Sequence, residues 1–432
     1  MSDFTLDFNL DHVDTSTNEK AKMLLLDSLA AVLSGNRTSD IEKVIHHFST
    51  ADMGQSVLGT GLVNHPYIVT VLQGMAMVSE ELDEGNALAK GHPSCHFFPA
   101  LLATAIEEKI DGKTFLEAFI VGYEINARAG SSIQLKKEIH PHGSWGMIGG
   151  GFALGKVLGF NAQELENLIT LTSSFPMVSL WNPVLEGHQS RNLMIGMQNM
   201  NLLLLAKMAK AGVTSSPENV KVIYSSILGE SFDERKLVAE LGETFYLNQS
   251  YIKFHSYCRF CHAPMEGTYQ LMSQHRLAPD NIESIEIKTY AAAARLNNQE
   301  PSNSFAAKFS IPRAISDYIY QNSGFNISAT SITVKEYPPF TAEYPKVRRT
   351  KIVLHDKNGV SYEGYSDHAS GEANDPRLKE KMIEKSRVIF TDSFDDEIAS
   401  NVINHFMNLE SICDISNVIE PLMGVGQTNV GC

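Results

Sequence analysis

The sequence predicts a mainly α-helical fold with a smaller strand-containing region in its last third. From about Asn18 to about Gly267, turn-forming residues are sparse and apolar residues recur at helical spacing. After about Pro279 the pattern changes to alternating residues with many β-branched side chains, which is typical of strands. Helical spacing returns over 377–387 and 396–409. We therefore expect the last stretch to pack back on the helical domain.

The helices are predicted from their apolar faces and from the residues that end them. Near the start, a face that includes Met23, Leu24 and Val32 is expected to end at Gly35. Further helices are predicted at 99–109, 114–127, 147–158 and 200–211, the last with Gly212 as its C-cap. Strands are predicted at 282–290, 332–334, 347–354 and 360–365.

Length and charge exclude several classes of protein. A chain of 432 residues is long enough for two or three domains. The 35 basic and 50 acidic side chains give a net charge of −15, which does not favour nucleic acid or anionic membranes as partners. An anionic ligand must therefore find a local basic pocket.

The cysteines and the N-terminal sequence predict a cytoplasmic protein. The chain has an odd number of cysteines, which argues against a disulfide framework and for a reducing compartment. They are Cys95, Cys258, Cys261, Cys413 and Cys432. The first residues lack a basic segment followed by an apolar run. The uncharged stretch 167–185 is interrupted by Pro176 and Pro183, and no membrane-spanning helix is expected.

The run Cys258-Arg-Phe-Cys261-His262 matches the covalent haem-attachment pattern. Haem attachment of this type belongs to exported proteins, and a structural zinc would need a second Cys/His pair at comparable spacing. Neither condition is met in the sequence. We interpret the run as a loop in which His262 is functional and the cysteines pack.

Two other segments group histidines with acids or glycines. Residues 80–86 are rich in acids and precede Gly91-His-Pro-Ser-Cys-His96, an arrangement compatible with acid/base chemistry or with an ordinary capped helix start. His140 and His142 come just before a glycine-rich helix, where the backbone N–H groups favour a bound carboxylate. The glycines lack the spacing of a dinucleotide site and are interpreted as helix-packing positions.

Taken in order, these segments resemble the MmgE/PrpD family, which includes 2-methylcitrate dehydratase, cis-aconitate decarboxylase and iminodisuccinate epimerase. The resemblance spans most of the chain. Its landmarks are Asp27-Ser-Leu-Ala-Ala, Glu81-Leu-Asp-Glu-Gly with Gly91-His-Pro, Gly122-Tyr-Glu124, His140-Pro-His-Gly-Ser-Trp-Gly, Leu158-Gly-Phe160, Arg191-Asn-Leu-Met-Ile-Gly196, Lys253 to Gly267 and Ala307-Lys-Phe-Ser-Ile-Pro312.

The resemblance implies a large all-helical domain with an inserted smaller α+β lid domain, a homodimer, and no cofactor or metal. We place the helical domain at 1–250, with 396–432 returning to it, and the lid at 251–395. The site implied by the family lies between the two. Its matching positions in this sequence are Asp83, Asn86, His92, His140, Arg191 and His262.

The resemblance also suggests roles. We assign acid/base chemistry to His140 and His92 and an orienting role to Asp83; for His262 we expect either acid/base chemistry or a hydrogen bond to a substrate carboxylate. Binding of the substrate carboxylates is assigned to the side chain of Asn86 and to five cations, Arg191, Lys253, Arg259, Lys308 and Arg313. His96, His142 and His188 are interpreted as structural.

The predicted activity is that of a cofactor-independent lyase that dehydrates or decarboxylates a small di- or tricarboxylate. Two departures from the family pattern leave the substrate open. Arg191 stands where decarboxylase-like members often have Lys, and Arg313 stands where Tyr is frequent. The Glu81-Leu-Asp-Glu-Gly85 form resembles the epimerase branch, so an isomerase is the first alternative. A non-catalytic polycarboxylate-binding protein on the same fold is the second.

Overall fold

The computed structural model describes residues 1–48 and 53–424. The described chain is mostly helical, which confirms the predicted mainly α class. It divides into two compact units. Unit 1 comprises Met1–Trp181, Ser190–Ile252 and the described part of Ala373–Cys432, and unit 2 comprises Asn182–Gln189 and Lys253–Glu372. Cys432 and the predicted tail beyond 424 lie outside the described residues.

Unit 1 is built from helices, with short two-stranded pairings at its turns. The helices are α1 (Ser2–Asp7), α2 (Thr15–Asn36), α3 (Ser39–Ile45), α4 (Pro66–Met77), α5 (Phe98–Glu107), α6 (Gly112–Ser132), α7 (Met147–Val157), α8 (Ala162–Ser173), α10 (Ser190–Lys210), α11 (Glu218–Val222), α12 (Arg235–Val238), α18 (Leu378–Thr391), α19 (Asp396–Met407) and α20 (Ile415–Ile419). The antiparallel pairs are β1 (Gln55–Ser56) with β2 (Val63–Asn64), β3 (Gly85–Asn86) with β6 (Ser250–Tyr251), and β4 (Ile133–Leu135) with β5 (Gly229–Phe232).

Helix α2 lies at the centre of unit 1 and is buried along most of its length. It packs on α4, α6, α18 and α19. Aspartates cap α2 and α6, because the carboxylate of Asp14 accepts from the Thr17 N–H and that of Asp111 from the Thr114 N–H. Helices α4 and α10 approach so closely that a Cβ on Gly74 would lie 2.8 Å from the Cα of Gly196. Glycine is required there by this contact.

Two predicted helix ends were wrong. Helix α2 continues past Gly35 to Asn36, and a Cβ on Gly35 would lie 1.9 Å from the Ala76 carbonyl oxygen. Gly35 is therefore a helix-packing position and not a stop. Helix α10 begins at Ser190 and not near residue 200.

Unit 2 combines a four-stranded sheet with helices. The strands are β7 (Ile282–Thr289), β8 (Ile332–Glu336), β9 (Thr350–Asp356) and β10 (Ser361–Ser366), in the order β10-β9-β7-β8, with only the β7–β8 pair parallel. The helices are α9 (Trp181–Glu186), which begins at the unit boundary, α13 (Arg259–Gln274), α14 (Ala291–Ala294), α15 (Ser304–Ala307), α16 (Ile311–Ser323) and α17 (Pro338–Glu343). Apolar side chains of α13, α16 and the strands form one core.

The units differ from the predicted domain boundaries at two places. Unit 2 ends at Glu372 and not at 395, because α18 packs on α2 within unit 1. Residues 182–189 belong to unit 2, since Val184 joins its core and the Gly187 carbonyl accepts a hydrogen bond from Asn303.

Among the described residues, none of the helices has both the length and the apolar composition needed to cross a bilayer.

Candidate active site

The turn between α4 and α5 places a buried carboxylate beside a histidine. Asp83 is fully buried, and its Oδ2 lies 3.2 Å from the Nδ1 of His92. The same Nδ1 lies 2.5 Å from the carbonyl oxygen of Glu84. Both neighbours of this nitrogen are hydrogen-bond acceptors, so Nδ1 carries the proton in the neutral ring. The Nε2 of His92 is then the nitrogen that accepts a proton.

His140 has the opposite arrangement. Its Nδ1 accepts a hydrogen bond from the backbone N–H of His142 at 3.1 Å, so the neutral ring carries its proton on Nε2. Burial, reinforced by the positive charge of Arg191, lowers the pKa of His140 well below its usual value. The backbone N–H of His140 donates to the Ser179 carbonyl, and this bond holds the loop in place. His140 therefore presents a proton donor where His92 presents an acceptor.

His142 lies at the centre of this cluster, although sequence reasoning interpreted it as structural. It is fully buried, its ring centroid lies 4.8 Å from those of both His92 and His140, and its Nε2 is 3.8 Å from the Asp83 carboxylate. Neither ring nitrogen has a hydrogen-bond partner within residues 1–48 and 53–424. A satisfied core histidine would have one.

Another buried histidine, His96, is closer to a structural role. Its Nδ1 is 3.1 Å from the Gln198 side-chain oxygen, and burial lowers its pKa to about 4. A Cβ on Gly146 would lie 1.9 Å from the His96 ring, so only glycine allows α7 to begin there. His188, by contrast, lies in unit 2 with a largely exposed side chain.

Glu84 is a second buried acid that sequence reasoning did not single out. It accepts hydrogen bonds from the Ser94 N–H and Oγ and from the Tyr123 hydroxyl. Burial raises the pKa of Glu84 to about 8 despite these bonds. Through Tyr123, the Glu84 side chain anchors the turn that contains Asp83 to helix α6.

Arg191 is engaged within unit 1. Its Nη1 lies 2.5 Å from Glu81 Oε1, and its Nη2 donates to the Val78 carbonyl at 2.7 Å. Nε and Nη2 also donate to the side chain of Asn192. Glu81 has a φ of 53°, an uncommon left-handed conformation for a non-glycine residue. The guanidinium thus fixes the acidic turn.

Two further contacts hold this turn. The amide of Asn86 donates to the Tyr246 carbonyl and accepts from the N–H groups of Leu88 and Ala89. From α18, Lys385 donates to the Asp27 carboxylate and to the Leu82 carbonyl, one residue before Asp83. The amide of Asn86 is therefore used to shape the turn.

In unit 2, His262 and Arg259 bind each other and the surrounding chain. His262 is fully buried, with Nε2 3.0 Å from the Tyr257 carbonyl and Nδ1 3.3 Å from Arg259 Nη1. Burial, reinforced by the charge of Arg259, lowers its pKa well below the usual value. Arg259 also bonds to Ser370 O and Glu372. Both side chains are thus engaged inside unit 2.

A pocket of about 490 Å³ in unit 2 collects two of the predicted cations, Lys308 and Arg313. Lys308 donates to Ser256, and Arg313 pairs with Asp317 while half of its side chain remains exposed. His255 also lines this pocket and was missed from the sequence; its Nε2 lies 2.8 Å from Glu266. Lys253 is fully buried in the same unit.

The fold and these side chains define a class: a mainly helical protein whose larger unit buries a histidine and carboxylate cluster suited to proton transfer. Models of known families agree with the assignment made from the sequence. The MmgE/PrpD N-terminal domain matches residues 1–222, and the MmgE/PrpD C-terminal domain matches residues 255–316. The chain belongs to the MmgE/PrpD family.

Two fungal proteins illustrate the relationship. The cis-aconitate decarboxylase of Aspergillus terreus is 21% identical over 459 residues, which cover 95% of this chain and 93% of the relative. The cis-aconitate decarboxylase-like protein oryM of Aspergillus oryzae is 21% identical over 451 residues, which cover 94% of this chain and 93% of the relative.

Proposed function

We propose that this protein is a lyase that moves a proton on a small di- or tricarboxylate without a cofactor. The observation that carries the proposal is the pairing of opposite proton placements in unit 1. His92, oriented by Asp83, offers an acceptor at Nε2, and His140 offers a donor at Nε2. General acid and base catalysis requires one group of each kind.

The chemistry follows from these two nitrogens. In a dehydration, His92 Nε2 takes a proton from the carbon next to a carboxylate and passes it to the departing hydroxyl, which leaves as water, while His140 Nε2–H donates a hydrogen bond that stabilises the developing negative charge. In a decarboxylation, loss of carbon dioxide leaves a carbanion, the imidazolium form of His92 gives that carbon a proton from Nε2 and regains one from solvent, and His140 Nε2–H donates a hydrogen bond to the developing negative charge. Asp83 stabilises the His92 imidazolium that forms when the ring accepts a proton.

Carboxylates are bound by cations, and unit 2 places two cations in one pocket of its own. Lys308 and Arg313 line a largely polar pocket, and an exposed guanidinium can bind a carboxylate through two hydrogen bonds. We assign carboxylate binding to this pair because the Arg313 side chain is half exposed in the pocket, whereas Arg191 and Arg259 are buried and bond within their own units.

The relatives named as cis-aconitate decarboxylases make cis-aconitate the first substrate to test, followed by methylcitrate. Purified protein is incubated with each acid, and carbon dioxide, water loss and alkene formation are followed by NMR. Product is expected from wild-type protein, with turnover reduced about 10²–10⁴-fold in His92→Asn. His405→Asn, which changes an exposed histidine of unit 1, is the matched control.

An acceptor and a donor placed as a pair also suit an epimerase, which removes a proton from one carbon and returns one to it. Iminodisuccinate in heavy water separates the two reactions. An epimerase incorporates deuterium at the epimerised carbon without releasing water or carbon dioxide, whereas a lyase accumulates product. Neither product nor exchange with any of the three acids would contradict both and favour a binding protein.

A further inference from the structure

A buried cluster of three metal-ligating side chains lies in unit 1, partly outside the machinery described above. It consists of Asp83, Cys95 and His142, whose ligand atoms all lie within 4.8 Å of one another. All three side chains are fully buried. We propose that these residues bind Zn²⁺ or a similarly soft divalent cation, and that the bound ion inhibits the enzyme.

The geometry is close to that of a zinc site. Zinc takes imidazole nitrogen and carboxylate oxygen at about 2.0–2.2 Å, so two such ligands of a tetrahedral ion lie roughly 3.4 Å apart. His142 Nε2 and Asp83 Oδ2 lie 3.8 Å apart. Side-chain movements well below about 1 Å close this edge around an ion, and a sulfur ligand is accommodated at a slightly longer distance.

An independent observation points to a ligand. The imidazole of His142 is fully buried, and neither of its nitrogens has a hydrogen-bond partner in the described part of the chain. Burying a polar group in this way costs free energy unless something satisfies it. A cation bound to His142 Nε2 would satisfy that nitrogen.

The donor set selects the kind of ion. A thiolate, an imidazole and a carboxylate favour Zn²⁺ over Mg²⁺ or Ca²⁺, which prefer oxygen ligands. The Cys95 thiol donates to the His92 carbonyl at 3.2 Å. Binding replaces the S–H bond with an S–Zn bond and releases one proton to the solvent. Two anionic ligands then balance the charge of the ion.

A second group, His255, His262 and Glu266 in unit 2, has similar spacing. Its members already bond to one another or to the chain: His255 to Glu266, and His262 to Tyr257 and Arg259. That group therefore serves as the control for adventitious binding.

Inhibition rests on the proposed function, because the ion would withdraw Asp83 from His92. Binding itself does not depend on that function and is measured separately. Zn²⁺ is titrated into the metal-free full-length protein in competition with a chromophoric chelator, with Mg²⁺ as the comparison ion. We expect one site for Zn²⁺, weakened at least about tenfold in Cys95→Ser and in His142→Gln, since loss of a ligand costs at least as much as loss of its supporting partner.

The controls decide which residues hold the ion. Cys413→Ser changes an exposed thiol and His255→Asn removes the second group, and both are expected to bind Zn²⁺ like wild type. Far-ultraviolet circular dichroism confirms that each variant folds. Wild-type crystals soaked in Zn²⁺ test the site without any substitution. We expect a peak in the anomalous difference map between Asp83 and His142.

Equal affinity in wild type and Cys95→Ser, loss of binding in His255→Asn, or an anomalous peak only elsewhere would overturn the proposal. If both the site and the proposed activity are correct, Zn²⁺ inhibits the wild-type enzyme in proportion to the occupancy of the site. The Cys95→Ser variant then needs a Zn²⁺ concentration at least about tenfold higher for the same inhibition. Binding without inhibition would retain the site and contradict only the inhibitory role.

Discussion

Replacing Arg191 by methionine removes the cation from a buried ion pair while leaving most of the side-chain volume in place. Arg191 is 1% exposed and Glu81 is 2% exposed. The substitution strands the Glu81 carboxylate and also removes donors from the Val78 carbonyl and the Asn192 side chain. Breaking one partner of a buried pair costs about 3–5 kcal/mol. We expect a loss of that size in the free energy of unfolding.

Urea denaturation followed by circular dichroism measures this loss, since the free energy of unfolding falls linearly with denaturant. Arg235→Met is the matched control, because that side chain is 90% exposed, and it should change stability by less than about 0.5 kcal/mol. The double variant Glu81→Gln/Arg191→Met removes both charges. It should be less destabilised than the sum of the single variants by about 0.5–3 kcal/mol.

The competing interpretation is the one made from the sequence, in which Arg191 binds a substrate carboxylate. It predicts a raised KM with unchanged unfolding. A variant that unfolds at the wild-type urea concentration but binds substrate poorly would refute the structural reasoning and restore Arg191 to the substrate site.

Three other predictions concern the two units separately. His140→Asn should lower turnover about 10²–10⁴-fold while the melting temperature changes little; equal losses of both would favour a structural histidine. Lys308→Ala and Arg313→Gln should each raise KM more than they lower kcat in steady-state assays, and an unchanged KM would remove them from the substrate site. Burial alone raises the pKa of Glu266, but hydrogen bonds from His255 and the Ser370 N–H hold it below its usual value. That contribution to stability is present above the unfolded pKa of about 4.3 and is lost as the pH falls through the folded pKa, so the difference in urea midpoint between wild type and Glu266→Gln should shrink below about pH 4.

Most long helices and all four strands of unit 2 were predictable because their apolar spacing is regular. The start of α10 was not, since its first turns bury polar residues such as Arg191, Asn192 and Gln198, which mask the apolar face. The role of Gly35 was also hidden, because it depends on the backbone of Ala76 on another helix. Such tertiary contacts leave no trace in local spacing.

The candidate site was predictable in its residue types more than in its connections. Asp83, His92 and His140 come together in unit 1, as the motifs suggested. The central place of His142 was missed, because a histidine is distinguished as structural or chemical only by what its nitrogens contact. The same holds for His255, whose partner Glu266 lies on the following helix.

The bond from Lys385 to the Leu82 carbonyl has a consequence for synthesis on the ribosome. The acidic turn is made early, within the first 90 residues, but one of the groups that fixes its backbone is residue 385 of 432. All of unit 2 is translated between them. A nascent chain therefore carries its Asp83 and His92 for most of its synthesis without the clamp from α18. Any chain that stops before that helix lacks this support.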